Sequence, residues 1–284
     1  MRQSGTESPE KPIKDASTVI VLREKDGVLE TFMLCRHSQS GFMGGAHVFP
    51  GGKVDVDDGN AAWKGRIDRS AQEMTDLLGE EDQDGALGLW VAGVRETFEE
   101  AGVLVANIAR GVDLEAERRR LDTGVPFSQI AADIDMTIET IALTPYARWI
   151  TPKMETKRFD TRFFIAVLPE GQHATHDGTE TTSAIWLKPA DAIDGTRNGQ
   201  IKLAPPTVRT LDWLAAFDTA ASAIADAASR KPPLVRPRIV TGEVGWFLAL
   251  PGDPEHPEND PVLPGSTRMV LEGGAWVDAP IPVR

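Results

Sequence analysis

The stretch LGLWVAGVRETFEEAGV, residues 87–103, combines an apolar stripe with a cluster of negative charge. Three carboxylates stand at positions i, i+3 and i+4, so they share one face of a predicted helix; they belong to Glu96, Glu99 and Glu100. The opposite face is apolar at the same spacing, which is typical of a helix that packs on a core; its members are Val91, Val94 and Phe98. Gly102 predicts the C-terminal end of the helix.

The crowding of like charge on this helix needs a physical reason. Neighbouring carboxylates at helical spacing repel each other by a few tenths of a kcal/mol per pair, roughly. The helix therefore gains nothing from the cluster unless a cation lies among the three side chains. Carboxylate oxygens are hard ligands that suit Mg²⁺ or Mn²⁺. Taken alone, the pattern is more typical of an ordinary solvated acidic face. Arg95 directly before Glu96 and the Phe-Pro-Gly-Gly turn at residues 49–52 shift the interpretation towards a divalent-metal site.

The same stretch resembles a known family. RETFEEAGV matches the REUxEExGU core of the Nudix hydrolases, where U is a bulky apolar residue, although Thr97 stands at a U position. FPGGKVDVDD, residues 49–58, resembles the first half of the same box, with Asp58 where the family has Glu. Residues 59–94 separate the two halves. This split box is similar to that of the branch that includes the peroxisomal coenzyme A diphosphatase, and the resemblance covers residues 17–190.

The resemblance implies an α/β fold, the Nudix α/β/α sandwich with a mixed sheet. Within it, residues 59–86 are expected to form a helical insertion packed outside the sheet. Residues 1–14 are rich in charge, Pro and Ser and predict a mobile tail, which leaves 15–230 as the Nudix domain. Residues 231–284 are rich in Pro and Gly with short strand patterns, so we expect a β-rich appendage packed on the same domain.

The chemistry of a Nudix hydrolase assigns roles to the residues of the box. Hydrolysis of a phosphoanhydride requires neutralised phosphoryl oxygens and a water placed in line. By resemblance, Glu99 and Glu100 are the firmest metal ligands, and Glu96 is either a ligand or the general base. Arg95 is expected to hold these carboxylates by charge-assisted hydrogen bonds. Both Mg²⁺ and Mn²⁺ are candidate cofactors.

Candidate substrate contacts lie in two further segments. Adjacent glycines let backbone groups approach an anion closely, so Gly51 and Gly52 predict a phosphate contact, and a carbonyl at Gly52 is also a candidate metal ligand. The segment WITPKMETKRFDTRFF, residues 149–164, resembles the W-x-T-P…K-R-[FY]-[DN]-T-x-F-[FY] stretch of the same branch. It is rich in basic side chains. Arg presents a planar fork to phosphate and Lys a point charge. The predicted basic contacts are Arg36, Lys157, Arg158 and Arg162.

Two loop carboxylates are further candidates. Nudix enzymes often supply an additional acidic residue from a loop that corresponds to 171–181, and Asp177 and Glu180 lie there. A coenzyme A signature found before the box in some Nudix enzymes matches at Arg36 and in the Phe-Pro-Gly-Gly turn. Its second arginine falls on Gly41 and is absent.

Composition limits the other function classes. The net charge of −13 argues against a broad nucleic-acid surface, and no run of 18 apolar residues could span a membrane. The lone Cys35 excludes an intrachain disulfide, and the polar N-terminus lacks the apolar segment of a secretory signal, so we expect a cytoplasmic protein. The resemblance also implies a homodimer.

The sequence therefore predicts a divalent-metal-dependent diphosphatase whose partner is a small nucleoside-diphosphate derivative. The branch resemblance points to CoA or acyl-CoA as this substrate, and ADP-ribose and NADH remain as alternatives. The alternative of another class is a non-catalytic nucleotide sensor on a Nudix scaffold, which the Asp58 substitution and the split box would allow. Product release from a panel of nucleotides separates these hypotheses.

Overall fold

The computed structural model describes residues 12–38, 44–242 and 245–282. Its strands, in chain order, are β1 (Ile13–Lys25), β2 (Val28–Arg36), β3 (His47–Val48), β4 (Gly51–Lys53), β5 (Ala106–Asn107), β6 (Thr137–Ile138), β7 (Thr144–Ile150), β8 (Arg158–Val167), β9 (Thr181–Leu187), β10 (Leu234–Val235), β11 (Arg238–Gly242), β12 (Gly245–Ala249), β13 (Arg268–Glu272) and β14 (Ala275–Asp278). Its helices are α1 (Ala71–Leu78), α2 (Gln83–Ala101), α3 (Leu114–Asp122), α4 (Phe127–Asp133), α5 (Pro189–Arg197), α6 (Pro205–Leu214) and α7 (Ala220–Ala228). Short 3₁₀ turns occupy Val56–Gly59, Ala61–Trp63 and Thr140–Ala142.

Strand β1 organises the main sheet. Along one edge it runs parallel to β8 from Ile13 to Leu22. Along the other edge it pairs antiparallel with β4 through residues 16–18 and with β2 through residues 22–25. The strand order of the main sheet is β10-β7-β8-β1-β2-β3, and β9 additionally pairs with β2. The mixed sheet is the expected one, and the division of one β1 edge between two partners places the Gly-Gly strand beside the start of β1.

Apolar cores cover both faces of this sheet. On one face, α1, α2 and α4 bury side chains such as Trp90 and Phe98 against Phe164 of β8. On the other face, α6 and α7 pack with the C-terminal strands on residues such as Ile20 and Tyr146. Helices on both sides of a mixed sheet make the α/β/α sandwich, so the predicted fold class is confirmed.

The predicted insertion lies outside the sheet, as expected, and its apolar side chains join the core on one face of the sheet. Trp63 is fully buried, its indole N–H donates to the Asp57 carbonyl, and its ring lies 5.2 Å from that of Phe127 between centroids. Helix α1 adds Met74 to the same cluster. The box helix begins at Gln83, because Asp82 caps its first turn, so the last residues of the expected insertion already belong to this helix. Large apolar side chains in the insertion explain its burial, since exposing them would be unfavourable.

The C-terminal third also differs from the sequence expectation. Residues 205–228 form two helices, because Thr219 forms a capping box that starts α7 after a break at residues 215–219. Strands β11 to β14 form a separate antiparallel sheet that packs Leu248 and Met269 into the second core. Strand β10 instead extends the main sheet by pairing with β7, although it lies beyond residue 230.

Two expectations concern residues that the structure does not describe. Residues 1–11 of the predicted tail lie outside the described residues, and β1 already begins at Ile13. Gly41 of the partial coenzyme A signature also lies outside them. Among the described residues, no helix has both the length and the apolar character needed to cross a membrane.

Candidate active site

Helix α2 carries its acidic face to the Gly-Gly strand β4. The helix ends where Gly102 adopts a left-handed φ of 67°, as its position in the sequence predicted. The backbone N–H of Gly51 donates to Glu100 Oε2 at 2.9 Å. A Cβ atom at position 52 would lie 2.5 Å from the Glu96 carboxyl group. Only glycine lets this strand approach the carboxylates so closely.

The other side of β4 is equally tight. A Cβ atom at Gly51 would lie 2.4 Å from the Ser17 carbonyl oxygen and 2.6 Å from the Cα atom of Thr18. Both of these atoms belong to the backbone of β1. Because β1 is hydrogen-bonded to β4, its backbone cannot move away to make room for a side chain at position 51. The two glycines therefore allow one short strand to lie between the central strand and the acidic helix.

Arg95 connects the carboxylates of the site. Its Nε and Nη2 atoms donate to the two oxygens of Asp58 at 2.8 and 2.9 Å, a bidentate pair. Its Nη1 atom lies 2.9 Å from Glu96 Oε1 and 3.1 Å from Glu99 Oε2, and Nη2 also donates to the Lys53 carbonyl at 2.9 Å. The side chain is only 7% exposed. One buried guanidinium thus contacts two carboxylates of α2, the Asp58 carboxylate and the backbone of Lys53.

Asp58 reaches Arg95 although 37 positions separate them along the chain. The 3₁₀ turn Val56–Gly59 forms a capping box in which the Asp55 N–H donates to Asp58 Oδ2 at 2.7 Å. This turn directs the shorter aspartate side chain inward, where it is fully buried. The two halves of the box are therefore in contact in spite of the insertion between them, and the Asp58 carboxylate binds the Arg95 guanidinium.

The electrostatics of the site reflect its excess of buried negative charge. Burial raises the pKa of Glu96 to about 7, against the opposing charge of Arg95 and with the help of Glu99. Burial raises the pKa of Glu100 to about 8, although the hydrogen bond from Gly51 opposes this shift. Burial alone would lower the pKa of Arg95, but its bond to Asp58 and the surrounding carboxylates outweigh this effect and raise it.

The donor set fits a divalent cation. Within the described ranges, no three His, Cys, Asp or Glu side chains are already grouped in the geometry of a metal site. Yet Glu96 and Glu100 are buried carboxyl groups with raised pKa values, and a nearby cation would favour their charged forms. Glu99 is 40% exposed and also faces the cleft. Oxygen ligands of this kind are those of Mg²⁺ and Mn²⁺.

A cleft of about 510 Å³ opens beside these residues. Of the predicted substrate contacts, Arg36, Gly51, Gly52 and Lys157 line it. The Nε atom of Arg36 is buried and has no hydrogen-bond partner, so this guanidinium has donor capacity left for an anion. The cleft therefore joins cationic side chains to the glycine turn and the acidic face of α2.

Arg158 and Arg162 are not among the residues that line the cleft, so the expectation that they contact substrate does not hold in this geometry. Successive side chains of a strand point to opposite faces, and Phe159, Thr161 and Phe163 take the cleft face of β8. Both arginines are buried on the opposite face. Arg158 donates to the Thr151 carbonyl, and Arg162 forms ion pairs with acidic side chains.

The two candidate loop carboxylates have different positions. Glu180 lines the cleft, and its charge adds to those that raise the pKa values of Glu99 and Glu100. Asp177 instead organises the loop: it accepts hydrogen bonds from the backbone N–H groups of Glu180 and Thr181. Burial opposes ionisation of Asp177, but these bonds and two hydroxyl donors lower its pKa to about 2.

The sequence reasoning missed several residues that line the cleft. Lys53 directly follows the two glycines, and that adjacency was a usable signal. Thr18 lies on β1 beside the glycines, and its position depends on the β1–β4 register. The apolar wall depends on strand alternation and on the start of α6; its members include Phe159, Phe163, Ala204 and Pro206.

Comparisons with known proteins identify the family of the chain. A family model described as the NUDT19 Nudix domain matches residues 79–214, which include the whole acidic helix. The chain belongs to the Nudix hydrolase family. It is 26% identical to the acyl-coenzyme A diphosphatase NUDT19 of Gallus gallus, over 88% of this chain and 78% of that protein. It is 31% identical to the protein of the same name from Homo sapiens, over 65% of this chain and 60% of that protein.

A solved structure supports the fold of this Nudix hydrolase. The crystal structure of a NUDIX hydrolase from Alicyclobacillus acidocaldarius superposes with a TM-score of 0.60 and 27% sequence identity, covering 75% of this chain and 96% of that chain. Nudix hydrolases generally need divalent metal ions, and they act on small nucleotide derivatives. The acidic helix, the glycine turn and the cleft are therefore the parts of this chain in which such chemistry would take place.

Proposed function

We propose that this Nudix hydrolase cleaves the phosphoanhydride bond of CoA and its acyl thioesters with the help of Mg²⁺ or Mn²⁺. The products would be 3′,5′-ADP and 4′-phosphopantetheine or its acyl derivative. The similarity to proteins named acyl-coenzyme A diphosphatase supports the substrate class. The observation that carries the proposal is the close approach of the Gly51–Gly52 strand to the Glu96 and Glu100 carboxylates. Beside them lies a cleft that Glu99 and the cationic side chains of Arg36 and Lys157 also line.

In this proposal the acidic residues of α2 bind the divalent cation. Glu99 and Glu100 would hold the divalent cation, with Glu96 and the Gly52 carbonyl as further ligands. The bound cation supplies charge neutralisation at the phosphoryl oxygens and a more acidic water. Arg95 positions Glu96 and Glu99 through the ion pairs described above, while Asp58 holds Arg95.

The cationic residues of the cleft would hold the diphosphate. Arg36 has an unused buried Nε donor, and Lys157 is an exposed cleft residue able to follow a flexible substrate. The chain has a net charge of −13, and these local cations would reduce the repulsion of an anionic substrate, with a further contribution from the bound metal.

The role of Glu96 can be separated by experiment. As a ligand, Glu96 would contribute to metal affinity, so Glu96→Gln would weaken Mg²⁺ or Mn²⁺ binding in calorimetry. As the general base, it would accept a proton from water, so the same variant would retain metal affinity and lose turnover. Burial raises the pKa of this group to about 7, which suits a base near neutral pH.

A substrate panel tests the proposed function. Purified protein is incubated with Mg²⁺ or Mn²⁺ and CoA, octanoyl-CoA, ADP-ribose, NADH or a dinucleoside polyphosphate, and nucleotide products are separated by chromatography. We expect 3′,5′-ADP from the two CoA compounds and loss of this product in Glu99→Gln. The matched control is Glu115→Gln, an exposed carboxylate on α3, which should leave turnover unchanged.

Other outcomes of the panel would overturn the proposal. Turnover of ADP-ribose or NADH with none of the CoA compounds would retain the bond class and replace the substrate. Binding of nucleotides without any product would identify a sensor. Full activity in both Glu99→Gln and Glu100→Gln would remove the metal assignment.

A further inference from the structure

A second cavity lies beside the cleft and has no role in the chemistry described above. Its volume is about 350 Å³, which is within the range of ligand pockets. Three parts of the fold enclose it: strands β7 and β8 of the main sheet, the first residues of α6, and the C-terminal sheet. Trp149, Phe159, Pro205, Trp246 and Trp276 represent these walls.

The lining of this cavity is chemically opposite to that of the cleft. Its wall is mainly aromatic and aliphatic, with Thr151, Glu155 and Thr161 as polar members, and none of the described residues that form it is Lys or Arg. The cleft, by contrast, contains Arg36, Lys53, Arg95 and Lys157. A phosphate group placed in the cavity would lose its hydration without gaining an opposite charge, so the cavity suits an uncharged apolar group.

The two spaces share a wall. Phe159, Thr161 and Phe163, which occupy alternate positions on one face of β8, line both the cleft and the cavity, and so do Ala204 and Pro206 at the start of α6. The cavity therefore adjoins the cleft along this wall. A ligand held by its phosphates in the cleft can extend an apolar end along this wall.

We propose that the cavity binds the acyl chain of an acyl-CoA substrate, so that the C-terminal sheet acts as a specificity element. This inference rests on the proposed function for the identity of the ligand. Its geometric basis is independent, because it depends on the wall that the two spaces share and on the absence of Lys and Arg from the described lining of the cavity. It assigns a ligand contact to Ile239, Trp246 and Leu248, which lie about 140–150 positions beyond the acidic helix.

The expected size of the effect follows from the transfer of methylene groups from water. Each methylene group that enters an apolar cavity strengthens binding roughly fourfold. An octanoyl chain has enough methylene groups to fill part of the cavity, although ordering the chain offsets some of the gain. We therefore expect octanoyl-CoA to bind at least about tenfold more tightly than CoA.

Calorimetry on the full-length protein in excess EDTA tests this inference without turnover. The probes are CoA, butyryl-CoA and octanoyl-CoA, whose Kd values should fall in that order. Ile239→Trp would fill the cavity from β11, and Trp246→Ala would remove a half-exposed aromatic wall residue. Each variant should reduce the difference between octanoyl-CoA and CoA to about threefold or less while the Kd of CoA stays unchanged.

A matched control lies on the same sheet. Leu271 is as exposed as Trp246 but does not line the cavity, so Leu271→Ala should keep the full dependence on chain length. Equal Kd values for CoA and octanoyl-CoA in the wild-type protein, or no binding of either, would overturn the inference. Retention of the difference in Ile239→Trp would overturn it as well.

The outcome is separable from that of the proposed function. Tighter binding of octanoyl-CoA with no hydrolysis of any CoA compound would support the cavity assignment and refute the diphosphatase. Hydrolysis of CoA and octanoyl-CoA with equal binding of both would support the diphosphatase and refute the cavity assignment.

Discussion

Two buried clusters of ionised side chains lie near β1 and differ in their balance of charge. In the first, the single guanidinium of Arg95 contacts the carboxylates of Asp55, Asp58, Glu96 and Glu99. In the second, two guanidinium groups share three carboxylates; its members are Arg148, Arg162, Asp15, Glu80 and Asp160. The first cluster therefore carries more uncompensated negative charge.

The difference separates a candidate reaction centre from a structural ion-pair network. Buried charges are stable when each finds a partner, so the nearly balanced second cluster can join α1's end to β7 and β8 without further ligands. The first cluster, with Glu100 beside it, has carboxyl groups whose pKa values burial raises to about 7 and 8. An excess of this kind is stabilised by an added cation, and perturbed carboxyl groups of this kind tend to mark functional sites.

The largest expected effect comes from removing a proposed metal ligand. Glu100→Gln keeps the size of the side chain and removes its charge, so kcat should fall by roughly 10²–10³-fold or more, while the fold is retained. Steady-state hydrolysis and circular dichroism measure the two properties. Normal kcat in this variant would show that the first cluster does not need its excess charge for catalysis.

Disruption of the second cluster should affect stability and leave catalysis nearly unchanged. Arg162→Met leaves Glu80 and Asp160 without one of their cations, and both are mostly buried. Because Asp15 is largely exposed, we expect a loss of about 2–3 kcal/mol in the free energy of unfolding, below the full cost for a buried pair. Urea denaturation measures this loss.

The same variant gives a kinetic comparison. Since Arg162 does not line the cleft, kcat/KM at 25 °C should stay within about threefold of the wild-type value. A large loss of kcat/KM in folded Arg162→Met would return this residue to the substrate-binding set and weaken the distinction between the clusters.

The excess charge also predicts a dependence of stability on pH in metal-free protein. Glu96 and Glu100 have raised pKa values when folded, so the folded state binds more protons than the unfolded state above pH 4.5. Their contribution to stability is complete below that pH and is lost as the pH rises through 7 and 8. We expect the free energy of unfolding to fall by about 1–3 kcal/mol between pH 5.5 and 8.

Two controls sharpen this test. Glu100→Gln cannot lose a proton, so its free energy of unfolding should depend less on pH over this range. Saturating Mg²⁺ or Mn²⁺ should reduce the fall as well, because the cation favours the charged carboxylates. Identical pH profiles for the wild type and Glu100→Gln would contradict the assigned burial of this charge.

The smallest expected effect concerns the exposed cation of the cleft. Lys157→Met removes a charge proposed to attract the diphosphate, so KM should rise roughly three- to tenfold with little change in kcat. Lys64→Met is the matched control, because Lys64 is also an exposed lysine but pairs with Asp84 away from the cleft. Equal KM values for both variants would remove Lys157 from the binding proposal.

Local sequence rules determined the parts of this protein in which the neighbouring residues are decisive. The helical spacing of Glu96, Glu99 and Glu100 and the glycine end of α2 could both be predicted, because each depends on a few adjacent side chains. The fold class followed from the resemblance of the box. The assignment of Arg162 to the substrate did not hold, although strand alternation already placed it on the face of β8 opposite Phe159 and Phe163.

Tertiary packing decided the features that depend on distant segments. Asp58 and Arg95 meet across the insertion because a 3₁₀ turn and a helix are fixed by different neighbours. Trp63 is buried because Phe127 and the rest of the first core pack against it. The apolar cavity exists only because the C-terminal sheet packs over β7 and β8. Sequence periodicity specifies which face of an element is apolar, whereas long-range contacts specify what that face meets.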